Sequence, residues 1–120
     1  MPLQSEHISK AEANEKFAAT VAQTAYLDWA VTIIFYSALH YVDAVLAASS
    51  VHPDNHTKRS HAIGANATLL TIRPEYRVLE TLSKNARYRS IKIAGPDLEE
   101  AQKNFEILRT HLRSRIGLTK

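Results

Sequence analysis

This sequence contains no cysteine. That excludes a disulfide scaffold and any metal centre built on thiolates. It fits a reducing, cytoplasmic setting, which is the expectation here. Glycine and proline are scarce, at 3 and 4 residues. So little turn chemistry argues against many short strands and for a few long helices. The sequence also lacks G-x-x-x-x-G-K-[ST], G-x-G-x-x-G, H-E-x-x-H and G-x-S-x-G. The common nucleotide-loop, dinucleotide, zinc-protease and nucleophile-elbow chemistries therefore have no foothold. The first twenty residues carry Glu6, Glu12 and Glu15 without an apolar block. No secretory leader is expected.

What is present is ordinary globular material. Hydrophobic residues make up 45% of the 120 positions and charged residues 22%. That supports one packed domain over residues 1–120. No internal repeat or low-complexity tract interrupts it.

The most apolar stretch runs from Trp29 to Ala48. His40 and Asp43 break it, and its uncharged part, Trp29 to Leu39, falls short of the roughly 20 residues a membrane span needs. No membrane association is expected. Apolar residues cover nearly every direction around this helix, so it belongs at the centre of a bundle.

Periodicity predicts five helices in an all-α, antiparallel four- to five-helix bundle. The Ser9-x-x-Glu12 capping box opens the first near Ser9 or a turn earlier, with Phe17, Val21 and Ala25 as its inner stripe. The second runs from about Tyr26 to Ser49 and ends before Pro53. Asp54 or Asn55 caps a third that continues to about Leu70. Gly64 within it is either a tolerated surface residue or a point of close backbone approach. Pro74 starts the fourth, with Tyr76, Leu79, Leu82 and Ala86 inward. Gly95-Pro96-Asp97 starts the fifth, whose stripe is Leu98, Ala101, Phe105, Leu108, Leu112 and Ile116, and Gly117 stops it.

Three constellations carry chemistry. Tyr36, His40 and Asp43 share one face of the second helix. They are either a tuned acid–base line or a buried polar line that fixes packing. The second lies between His52 and His61, where His56, Lys58, Arg59 and His61 surround a helix start suited to phosphate. His52 and His56 could hold a metal, but Pro53 separates them and no acidic pair completes the set, so neither metal nor cofactor is expected. In the third, Arg87 and Arg89 flank Tyr88, offering bidentate phosphate contacts beside a stacking ring. The alternative is that Tyr88 plugs the bundle end while the arginines pair with carboxylates. Net charge is +3, concentrated between Lys84 and Lys92 and between Arg109 and Lys120. Both clusters are either phosphate contacts or solvated faces.

Taken in order, Asp28-Trp29-Ala30-Val31-Thr32, Phe35-Tyr36-Ser37-Ala38-Leu39-His40, the His52 to Arg59 loop and Ala86-Arg87-Tyr88-Arg89 resemble a HEPN-like (higher eukaryotes and prokaryotes nucleotide-binding) domain. The resemblance spans roughly Ser9 to Arg115. It implies a helical bundle that forms a two-fold homodimer and handles RNA or nucleotides, often within toxin–antitoxin or other defence systems. Active members carry R-x4-6-H, whose Arg steadies phosphate and whose His activates the ribose 2′-hydroxyl. No Arg here is followed by His at that spacing, so this chemistry does not transfer as written. Three functions follow as expectations. The first is an RNA- or nucleotide-binding module using His56, Arg59, His61, Arg87, Tyr88 and Arg89. The second is a dimerisation or adaptor domain with a partner protein. The third is a metal-independent ribonuclease built on a degenerate His/Arg set.

Overall fold

The computed structural model describes residues 3–89 and 91–118. They form six helices: α1 (Gln4–Val21), α2 (Leu27–Ala47), α3 (His56–Gly64), α4 (Ala67–Leu70), α5 (Arg73–Tyr88) and α6 (Gly95–Arg115). Among the described residues there is no strand. The chain is an all-helical bundle.

α2 is the axis. Val31, Phe35, Ala38, Tyr41, Val42 and Ala44 are fully enclosed. It is long and apolar enough to cross a membrane by composition, yet 72% of its most apolar window is buried against the rest of this chain. α1 runs antiparallel along it. The Gln4 amide donates to the Ala44 carbonyl at 3.0 Å, and the Ser37 hydroxyl donates to the Ala11 carbonyl at 2.7 Å. Ala11, Ala18, Ala30 and Ser37 line this seam. Small side chains let two helices approach closely, which leaves the apolar load to α2's other faces.

The first helix starts earlier than the Ser9-x-x-Glu12 pattern predicts. Glu6 Oε1 accepts from the Leu3 amide at 2.9 Å and so satisfies an orphan donor well upstream of Ser9. Ser9 lies inside the helix. The inner face is His7, Ala11 and Ala18, not Phe17, Val21 and Ala25. Phe17 is 56% exposed, because small residues rather than large ones face α2. Thr24 turns the corner: its hydroxyl donates to the Val21 carbonyl and accepts from the Tyr26 amide.

α2 ends in a Schellman turn. The Val51 amide donates to the Leu46 carbonyl and the Ser50 amide to Ala47. Ser50 occupies the left-handed position at φ 57°, where a glycine is usual. α6 closes the same way, with Leu118 donating to Arg113, Gly117 to Ser114, and Gly117 at φ 79°. There the expected glycine is present.

The predicted third helix is two. Asn55 caps α3 by accepting from Lys58 at 2.8 Å, and Asn66 caps α4 by accepting from Leu69 at 3.1 Å. A second capping side chain, three turns of helix after the first, restarts the chain in a new direction. Gly64 is exposed. A Cβ there would meet only the Arg73 guanidinium at 3.8 Å, so no backbone approaches closely. α5 and α6 follow the predicted stripes: Tyr76, Leu79 and Leu82 are buried, as are Ala101, Phe105, Leu108 and Leu112.

Two basic residues of the C-terminal cluster turn inward. Arg109 pairs with Glu15 at 2.8 Å and Arg113 with Glu12 at 2.9 Å. The Tyr41 hydroxyl donates to Glu15 and accepts from Arg113, tying α1, α2 and α6 together. Arg109 and Arg113 are therefore neither phosphate contacts nor a solvated face.

Candidate functional site

The three polar residues on one face of α2 do not bond one another. Each addresses a different helix. The Tyr36 hydroxyl accepts from Arg87 Nη1 of α5 at 2.7 Å. His40 Nδ1 meets His7 Nδ1 of α1 at 3.1 Å. Asp43 receives two hydrogen bonds from Arg59 of α3, Nε at 2.8 Å and Nη2 at 3.0 Å. Successive turns of α2 present these residues, so one stripe clamps three neighbours.

The Arg59–Asp43 pair is deeply enclosed, with side chains 9% and 7% exposed. Burial opposes the Arg59 charge, but the Asp43 hydrogen bonds and charge outweigh it and hold the guanidinium above its ordinary basicity. Arg59 is thereby withdrawn from the predicted phosphate set. It stabilises the junction of α2 and α3 instead.

The opposite face of α3 is open. His56, Ser60 and His61 line a groove of about 680 Å³ closed on its other side by Arg73, Glu80 and Lys84 of α5. The α3 residues are exposed while Arg59 and Ile63, on the same helix, are buried. On α5, Arg73, Glu80 and Lys84 sit at i, i+7 and i+11 and so share one side. Arg73 and Lys84 against Glu80 leave the groove with net positive charge. His56 is less basic than an ordinary histidine, first through burial and then through the Arg59 charge; Glu80 opposes this. His56 therefore adds little charge to the groove at neutral pH, and Arg73 and Lys84 carry its positive charge.

At the C-terminal end of α5 an aromatic bracket adjoins this groove. The Arg87 guanidinium lies 4.8 Å from the Tyr88 ring centre and 5.4 Å from that of Tyr36. It also donates to both phenol oxygens, 3.3 Å to Tyr88 and 2.7 Å to Tyr36. Tyr88 is 72% exposed. It does not plug the bundle, and Arg87 pairs with hydroxyls rather than carboxylates. Arg89 follows the helix end and is exposed. His56 and His61 therefore share the groove, and Arg87, Tyr88 and Arg89 share one end of α5. Arg59 and His40 face inward elsewhere.

Sequence reasoning missed Arg73 and Glu80 in the groove, and His7 opposite His40. Arg73 precedes the predicted start of its helix. His7 falls inside the first helix only if that helix starts a full turn before Ser9, and it was not assigned to the inner stripe. A longer N-terminal helix read from Glu6 would have placed His7 on the Ala11–Ala18 face.

No family model, no curated protein and no solved structure matches this chain. The fold and the groove define it as an all-helical bundle with a basic, open cleft between two helices.

Proposed function

We propose that the chain is an RNA- or nucleotide-binding module, of the kind that serves toxin–antitoxin or defence systems, and that the α3–α5 groove takes the phosphates. The observation that carries this reading is that Arg73 and Lys84 outweigh Glu80 on one open groove, with His56 and His61 beside them. Cations in a concave surface attract a polyanion and release its counterions. The exposed Tyr88 ring, held by Arg87, supplies a face on which a base stacks. The HEPN-like sequence landmarks support the same class. Arg59 has no part in it, so the contacts reduce to His56, His61, Arg73, Lys84, Arg87, Tyr88 and Arg89. Fluorescence anisotropy with a labelled single-stranded RNA across a salt series tests this. Affinity should fall as salt rises, with a slope of about 0.7 per neutralised phosphate. Absence of binding to RNA and nucleotides at low salt refutes it.

A second reading, self-association, is favoured by one observation. Phe17 in the last turns of α1, and Tyr26 and Trp29 at the start of α2, are 56%, 66% and 59% exposed. Exposed aromatic side chains suit protein interfaces. Light scattering of the wild type and of a Phe17→Ser, Trp29→Ser variant tests it. A monomer in both cases refutes it.

A further inference from the structure

The His7–His40 contact is unusual chemistry for a helix seam. Two imidazole nitrogens, both Nδ1, face each other at 3.1 Å. The rings are tilted by 31° with centres 5.4 Å apart, so this is an edge approach of nitrogens and not stacking. One nitrogen of each ring and an Asp43 carboxylate oxygen lie within 4.8 Å of one another. The sequence offers His52 and His56 as a metal pair, but Pro53 separates them and no acidic pair completes the set. The fold assembles a different set, from the first turn of α1 and two adjacent turns of α2.

We propose that His7, His40 and Asp43 form a site for a divalent transition-metal ion of the zinc class, which staples α1 to α2. The nitrogen separation suits it. Ligands about 2.1 Å from an ion sit about 3.4 Å apart at tetrahedral angles and about 3.0 Å apart at octahedral ones. The observed 3.1 Å falls between. Two imidazoles and one carboxylate is also a donor set that borderline divalent ions prefer over magnesium or calcium.

The protonation states agree. Burial, then the neighbouring His7, lowers His40 to about 4. Burial also lowers His7, against the pull of Asp43. Both rings are neutral at pH 7, as ligation requires. Without an ion, one ring must carry hydrogen on Nδ1 and donate it to the other. On binding, that ring moves its hydrogen to Nε2 and offers the Nδ1 lone pair, so no net proton is released.

Arg59 supplies what ligand carboxylates commonly have, a partner that orients them. Its two hydrogen bonds fix the Asp43 carboxylate. Its charge also cancels that of Asp43, so the imidazoles contribute most of the affinity. His52 lies near the cluster but outside the His7, His40 and Asp43 set that converges. It is close enough to His7 to lower its basicity, and its buried Nδ1 has no hydrogen-bond partner among the described residues.

The test is titration of the metal-stripped full chain with Co²⁺ and Zn²⁺, each alone. Stoichiometric Co²⁺ binding with a visible ligand-field band, displaced by Zn²⁺, is expected. Zn²⁺ should raise the melting temperature, whereas Mg²⁺ should not. His7→Ala and His40→Ala should each abolish the band while helical circular dichroism is retained; His61→Ala should leave it intact. In the wild type, the imidazole ¹⁵N resonances of His7 and His40 should shift on Zn²⁺ addition, a readout that needs no variant to fold. No stoichiometric binding to the wild type, a band that survives both substitutions, or unmoved His7 and His40 resonances would overturn the proposal.

Discussion

The two sides of α3 meet arginines that are put to opposite uses. On the inner face Arg59 is sealed against Asp43. Across the helix, the groove places Arg73 of α5 beside His56 and His61, in reach of solvent. An arginine matched to a buried carboxylate is a fastener. An arginine facing an open cleft stays available to an anion. Burial and partner, not residue identity, decide between them. Composition counts both as positive charge, and only the fold separates them.

The largest expected effect is on the sealed face. Asp43→Ala or Arg59→Ala leaves one uncompensated charge and should destabilise by about 3–5 kcal/mol in chemical denaturation. Replacing both, as Asp43→Leu with Arg59→Met, should cost much less, because no charge is stranded. If the single and double variants are equally destabilised, the pair is not the fastener described. On the open face the converse holds. Arg73→Ala with Lys84→Ala should lower the salt slope of RNA binding by about 0.7 for each phosphate no longer neutralised. Stability should change by no more than about 0.5 kcal/mol. A large drop in stability would erase the contrast between the faces.

A smaller effect isolates backbone from side chain. Ser50 holds a left-handed conformation and is exposed. Ser50→Gly should relieve that strain and raise stability by about 0.5–1 kcal/mol, measurable by denaturant midpoint. The smallest concerns pH. His56 is depressed below the ordinary histidine value, so it is neutral at pH 7 and gains charge only as pH falls below about 6.5. RNA affinity should therefore rise modestly on acidification. His56→Ala should flatten that rise; an unchanged profile would remove His56 from the anion-binding set.

Much of the architecture was legible because it rests on local rules. The α5 and α6 stripes follow helical periodicity, and Gly117 and Asn55 sit where capping chemistry needs them. The α2 axis follows from apolar residues in every direction. The failures also have physical causes. Phe17 and Trp29 look like core residues, but the α1–α2 seam is built from small side chains, which leaves the large aromatics outside. The third helix divides because Asn66 offers a second cap that periodicity alone does not register. For the groove, His56 and His61 were visible, but Arg73 required knowing which side of α5 meets α3. The fate of Arg59 required knowing that Asp43, sixteen residues away, points at it.

The stripe on α2 has one more consequence. Because Tyr36, His40 and Asp43 reach into three separate helices, sliding α2 by a single turn would strand all three partners simultaneously. Competing arrangements of an otherwise oily rod are thus penalised in triplicate, and the bundle is left with one tolerable alignment.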